Sequence, residues 1–104
     1  MLTDFITTGV YDIRSRKLSL TPSPSMDILV SSNLERQLFE LCSRDAERVR
    51  GWMADLSRDK RFEVDADTRA RMQELYAAGC VDNDACLREI GEVFAEKHYL
   101  LDPH

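Results

Sequence analysis

Between residues 32 and 98, apolar side chains recur at helical spacing in four successive stretches, each opened by a start signal. This punctuation restricts the fold more than any other feature of the sequence. Ser32-Asn33-Leu34-Glu35 reads as a capping box, in which the serine hydroxyl takes an orphan amide and the glutamate reaches back. Leu34, Leu38 and Leu41 then form a stripe that Phe39 and Cys42 widen. Ser43 or Asp45 starts the second helix, whose apolar set Val49, Trp52, Met53 and Leu56 follows the i, i+3, i+4, i+7 pattern. After a charged connection over 57–61, with Phe62 and Val64 as apolar anchors, Asp65 can cap a third helix carrying Met72, Leu75 and Tyr76, and Gly79 is its expected stop. Asp82 or Asp84 can cap a fourth, with Cys86, Leu87, Ile90, Val93 and Phe94 inward and Lys97 and His98 in the last turn, where positive charge suits the helix dipole. The fold class is therefore mainly α, with about four helices over 32–98. The expected core includes Leu38, Leu41, Trp52, Met53, Leu75, Tyr76, Ile90 and Phe94.

Residues 1–31 are of a different kind. Leu2, Phe5 and Ile6 share one face of a possible short helix that Gly9 can stop, and 10–13 can form a brief strand. Pro22 and Pro24 fix their own φ and push the residues before them to extended geometry, so 21–25 is neither helix nor central strand. The apolar run 26–30 reads as a strand or a buried connector. The organisation is thus an extended or irregular segment, 1–31, followed by a helical region, 32–104.

Length and charge remove several function classes. A chain of 104 residues is about one domain. Its net charge of −5 supplies no basic stripe to displace counterions from phosphates, which argues against nucleic acid and anionic membrane as partners. No stretch has the ~18 consecutive apolar residues of a membrane span, and no basic, apolar leader opens the chain, so the cytosol is the expected compartment. Three cysteines, Cys42, Cys80 and Cys86, are an odd number in helical surroundings, and they read as small hydrophobes. Cys80, Cys86 and His98 match no zinc-ligand spacing, so no metal is expected.

No catalytic constellation stands out. The histidines, His98 and His104, both lie near the C-terminus, the four glycines are scattered, and Lys17, Lys60 and Lys97 each sit among charged neighbours. The unusual stretch is 23–33, where two serines and an aspartate surround Pro24 and two further serines and Asn33 follow the apolar run. Such side chains either cap helices and turn the chain or line a site on a rigid loop.

Ser-Pro-Ser-Met-Asp-Ile at 23–28, continuing to Ser-Ser-Asn-Leu-Glu-Arg at 31–36, resembles the signature of threonine synthase. Leu2-Thr3-Asp4-Phe5 with Thr8-Gly9-Val10-Tyr11-Asp12 is similar to the stretch preceding that signature, and 99–104 to the segment leading into the family's next helix. The resemblance covers essentially the whole chain but only about a quarter of a family member. It implies an excised part of a larger α/β enzyme of fold type II. The parent enzyme converts O-phospho-L-homoserine and water to L-threonine and phosphate with pyridoxal phosphate (PLP) as electron sink. The family's cofactor lysine lies in a Phe-Lys-Asp motif and its phosphate in a glycine-rich loop, and neither is present here. No catalytic residue and no bound PLP are therefore expected in this chain alone. Ser23, Ser25, Asp27 and Asn33, which match the family motif, are expected to flank the substrate in the parent.

The end of the chain supports the same expectation. Tyr99-Leu100-Leu101 is strongly apolar, and Asp102-Pro103 reads as an N-cap followed by proline at the first helical position. A helix is announced just before His104, which suggests a piece of a longer protein; a tail docked on the body is the other reading. The expected partner is the remainder of the parent enzyme, with a fortuitous homodimer through exposed apolar ends as a by-product. The alternative function is a stand-alone helical protein-interaction module.

Overall fold

The computed structural model describes residues 1–103; His104 lies outside the described residues. The order of elements is α1 (Leu2–Thr8), β1 (Val10–Asp12), a single 3-10 turn (Pro24–Met26), α2 (Leu34–Leu41), α3 (Ala46–Asp59), β2 (Arg61–Glu63), α4 (Ala66–Leu75) and α5 (Asn83–Lys97). The mainly helical reading holds, with four helices after residue 32 and one short helix before it. Among the described residues no helix is long and apolar enough to cross a membrane.

The chain forms two compact units, Met1–Lys17 with Leu29–Gly79 and Leu18–Ile28 with Cys80–His104. The first is organised around three rings. Phe5 of α1, Tyr11 of β1 and Phe62 of β2 are all buried. Phe5 meets the other two edge-on at centroid distances of 5.6 and 5.5 Å, while Tyr11 and Phe62 stack at 5.2 Å. Such geometries suit the ring quadrupoles. The rings are juxtaposed because β1 and β2 pair antiparallel with Tyr11 opposite Phe62, flanked by Val10 opposite Glu63 and Asp12 opposite Arg61. Gly9 makes the corner from α1 into β1. Its φ of +78° is left-handed, its amide donates to the Phe5 carbonyl at 2.7 Å, and a Cβ there would lie 3.2 Å from Arg69 Cδ. Leu38, Leu41 and Cys42 from the α2 end, Val49 from α3, Val64 and Met72 complete the core.

Two of the helix starts in this unit follow the sequence rules and one does not. Asp45 accepts from the Glu47 and Arg48 amides at 3.1 Å, and Asp65 accepts from the Thr68 amide at 3.0 Å. The capping box at Ser32 does not form. Helix α2 starts at Leu34, so Asn33 rather than Ser32 stands at the cap position, and with φ −76° and ψ −17° it makes no side-chain cap bond. The Leu34 amide instead donates to the Ser31 carbonyl at 3.3 Å.

Four further expectations are corrected. Residues 61–63, expected within a charged connection and its anchors, form β2. Gly79 does not stop α4, because Tyr76 already leaves the helix for extended backbone. There Gln73 Nε2 donates to the terminal α1 carbonyls of Ile6 and Thr7 at 2.9 and 3.1 Å, and Thr3 Oγ1 donates to the Gly79 carbonyl at 3.1 Å. Residues 26–30 are neither strand nor buried connector, since Met26, Ile28 and Val30 are exposed. Leu75, Tyr76, Leu87 and Phe94 are exposed as well, because none of the described residues covers those faces, and Trp52, Met53 and Ile90 are only half-buried.

The second unit is built on α5, capped by Asp82, whose carboxylate accepts from the Ala85 amide at 2.7 Å. Asn83 Nδ2 donates to the Leu20 carbonyl at 3.1 Å and Ser23 Oγ donates to the Pro103 carbonyl. These bonds tie the 18–28 loop to the flanks of α5. Residues 99–103 are not helical.

Candidate functional site

The polar loop around Pro24 is built by its own side chains. Pro22 and Pro24 stiffen the chain, and the Met26 amide closes a 3-10 turn on the Ser23 carbonyl at 2.8 Å. Asp27 then folds back across the turn. One carboxylate oxygen accepts the Thr21 amide at 2.9 Å and the other accepts the Thr21 hydroxyl at 2.6 Å. The Thr21 hydroxyl also accepts from the Ser23 amide at 3.0 Å. A charged acceptor holding an amide and a hydroxyl at these distances makes a firm clasp. Ser23 and Asp27 are half-buried, and Ser25 is exposed on the 3-10 turn.

Of the four residues expected to flank a substrate, Ser23, Ser25 and Asp27 therefore share one loop in one compact unit, and Asn33 belongs to the other unit. Asn33 is not consumed by helix capping. Its Oδ1 accepts from Arg36, and it lines a cavity of about 270 Å³ with Ser31, Gln37, Leu2, Ile6 and Tyr76 among its walls. Two further residues, not expected from the motif, belong to this arrangement. Thr21 completes the clasp, and its signal is a hydroxyl placed across a Pro-x-Pro turn from an aspartate. The Tyr11 hydroxyl accepts from the Ser31 amide at 2.9 Å and donates to the Leu29 carbonyl at 3.4 Å, and so fixes the backbone that follows the motif. Nothing local in the sequence signals that contact.

A larger cavity lies elsewhere. It measures about 600 Å³ between α2 and α3, with Phe39, Val49 and Met53 as its floor. Three of its charged lining residues are engaged, Arg36 with Asn33, Arg50 with Glu47 and Glu40 with Arg44. No polar groups converge in it to orient a ligand, and none of the four motif residues lines it.

Two carboxyls are held well below the usual range, and both serve structure. The Arg14 side chain, together with the Arg14 amide, holds Asp12 at about 2. Burial pushes Asp65 up, but the Thr68 amide, the Arg48 guanidinium and the Thr68 hydroxyl outweigh it and bring that carboxyl to about 2. Arg48 also lies 5.4 Å above the Trp52 ring. Acids fixed as ion-pair partners are poor proton donors near neutral pH. Among the described residues no group of three or more His, Cys, Asp or Glu side chains converges on a metal site.

The comparisons with known proteins bear on the whole chain. Threonine synthase-like 1 from Homo sapiens is 38% identical over 104 residues, covering 100% of this chain and 14% of that protein. Threonine synthase from Saccharomyces cerevisiae is 32% identical over 117 residues, covering 100% of this chain and 23% of the yeast protein. The crystal structure of PLP-bound threonine synthase from Brucella melitensis matches with a TM-score of 0.93 at 38% identity, over 99% of this chain and 22% of the other. The sequence match covers the whole chain and the backbone match 99% of it. The chain is homologous to one part of threonine synthase. The yeast threonine synthase structure gives the same result, with a TM-score of 0.89 at 33% identity. No protein-family model matches the chain. The threonine synthase match is one-sided in length, because the chain spans only 14% to 23% of the relatives it matches.

Threonine synthase from Brucella melitensis carries PLP, and the residues of this chain do not fit that group. A lysine that forms a Schiff base needs a sheltered position that lowers its pKa. Lys17, Lys60 and Lys97 are all exposed, and Lys60 Nζ donates to the Ser57 carbonyl at 3.1 Å. Gly9, Gly51, Gly79 and Gly91 are dispersed over the chain and form no phosphate-cradling loop.

Proposed function

We propose that this chain serves as a substrate-flanking, mainly helical part of a threonine synthase, whose complete form converts O-phospho-L-homoserine and water to L-threonine and phosphate with PLP. The observation that carries this reading is the TM-score of 0.93 at 38% identity over 99% of the chain. Residues 1–31 and 32–104 act together as one piece of that enzyme. The chain supplies no lysine for the cofactor and no phosphate loop, and by itself it is inactive. Ser23, Ser25, Asp27 and Asn33 border the active site of the complete enzyme. The Thr21–Asp27 clasp and the Tyr11 hydrogen bonds support that role, because both stiffen the backbone on which these residues sit.

The test replaces the matched part of Brucella melitensis threonine synthase with this chain and assays threonine formation from O-phosphohomoserine. The hybrid is expected to turn over. The 104-residue chain alone is expected to release no phosphate and to give no visible absorbance band on addition of PLP. Turnover by the chain alone, or stoichiometric PLP attachment at Lys17, Lys60 or Lys97, would overturn the reading.

A further inference from the structure

The unit formed by Leu18–Ile28 and Cys80–His104 contains no buried residue among those described. Its main element, α5, is 15 residues long. Helices of that length are marginal in water unless an apolar face is packed. Cys86, Ile90 and Val93 are half-buried. A second stripe, Leu87, Gly91 and Phe94 at i, i+4 and i+7, is open: Leu87 is 54% and Phe94 52% exposed, and a Cβ built on Gly91 meets nothing within 4 Å. In the same unit Leu20, Tyr99 and Leu100 are more exposed still. An uncovered apolar patch of this kind marks an interaction surface. The glycine sharpens the point. It weakens the middle of a helix relative to alanine, and none of the described residues requires the space its missing Cβ leaves.

We infer that the Leu87–Gly91–Phe94 stripe of α5 is the seat for the remaining body of a threonine synthase, with an apolar element of that body approaching the helix backbone closely at Gly91. The inference rests on the proposed function. The occupant is identified by length: the same fold is matched at a TM-score of 0.93 inside a chain of which it makes up only 22%, so most of that enzyme lies outside the matched part. A second copy of this chain is the competing occupant.

The experiment compares hydrogen exchange of the α5 amides in the 104-residue chain and in the Brucella hybrid described above. In the chain alone, Gly91→Ala is expected to raise α5 protection about three- to fivefold, as helix propensity dictates. In the hybrid the same change is expected to lower protection at least tenfold, because the added methyl holds the partner element off. The double variant Leu87→Ser/Phe94→Ser is expected to act the same way in the hybrid and to leave the isolated chain within about twofold. A rise in protection with Gly91→Ala in both contexts would overturn the proposal. So would a concentration-dependent dimer of the isolated chain that Leu87→Ser/Phe94→Ser abolishes. A hybrid that protects α5 but makes no threonine counts against the functional reading and keeps the docking surface; an active hybrid with unprotected α5 does the opposite.

Discussion

Replacing Phe62 tests whether the three-ring contact holds the first compact unit together. Phe62 is 2% exposed and touches both other rings, at 5.5 and 5.2 Å. Truncation to alanine removes roughly 120–150 Å² of buried apolar surface, worth about 3–4 kcal/mol at ~25 cal/mol/Å² as an upper estimate. Each lost ring pair adds about 0.5–1.5 kcal/mol. Partial collapse of the surroundings offsets some of this, so Phe62→Ala is expected to cost about 4 kcal/mol, within the usual ~3–5 for such truncations. A domain of this size is stable by only ~5–15 kcal/mol, so the variant should be close to unfolding. Phe62→Leu keeps most of the apolar area and loses the ring pairs, and about 1–2 kcal/mol is expected. Urea unfolding followed by fluorescence of Trp52, the sole tryptophan, reports on this unit because Trp52 packs against its core. Leu20→Ala is the control: it is 78% exposed and should change stability by less than ~0.5 kcal/mol. A loss below about 1.5 kcal/mol for Phe62→Ala, or equal losses for alanine and leucine, would refute the argument from the rings.

The Asp65 carboxyl lies at about 2 in the folded chain against an ordinary 3.8, so its contribution is present above the unfolded value and is lost as pH falls from about 4 toward 2. The side chain is 39% exposed, so screening reduces the contribution to about 1 kcal/mol; acid unfolding of the wild type and Asp65→Asn should converge near pH 2 and diverge by that amount above pH 5. Lys60 ends α3 at φ 57° with an exposed side chain, so Lys60→Gly should stabilise by about 0.5–1 kcal/mol after the extra unfolded-state freedom of glycine is counted, measured by the urea midpoint. Gly9→Ala should destabilise by about 1–2 kcal/mol in the same assay, because φ is +78° and the new Cβ would crowd Arg69.

What the sequence made legible was local. Asp45, Asp65 and Asp82 cap their helices because a short acidic side chain before an apolar period has few other conformations to favour. The short strand β1 and the glycine corner before it were legible too, because a glycine after a short apolar period is a common left-handed helix stop. What escaped was long-range. The strand β2 is three residues long and alternates only once, and its meaning lies in Tyr11, far back in the chain. Ser32 failed as a cap because the backbone entered the helix one residue later than the motif implies. Leu75, Tyr76, Leu87 and Phe94 show the other limit: periodicity identifies an apolar face but not whether the cover for that face belongs to the same stretch of chain. The signature 23–36 was legible as a motif, but Thr21 as its structural partner was not, because the clasp depends on how the Pro22–Pro24 turn folds.

That clasp decides how Asp27 can act. Its two carboxylate oxygens hold the Thr21 amide at 2.9 Å and the Thr21 hydroxyl at 2.6 Å, so the aspartate fixes the loop carrying Ser23 and Ser25. If the proposed function holds, Asp27 acts there as a positioning residue and Thr21 shares its task. Removing the hydroxyl leaves a half-buried carboxylate short of one charge-assisted bond, a loss of about 1.5–3 kcal/mol, which corresponds to a ~10- to 100-fold ceiling on any effect transmitted to the active site. In the Brucella hybrid, Thr21→Val and Asp27→Asn should therefore lower kcat/KM for O-phosphohomoserine by similar factors, within about threefold of each other, and Thr21→Ser should restore most of the loss. If Asp27→Asn abolishes turnover while Thr21→Val leaves it intact, the carboxylate acts on substrate directly and the clasp is incidental. If neither variant moves kcat/KM, the loop does not border the active site, and Ser23 and Ser25 lose their assignment with it.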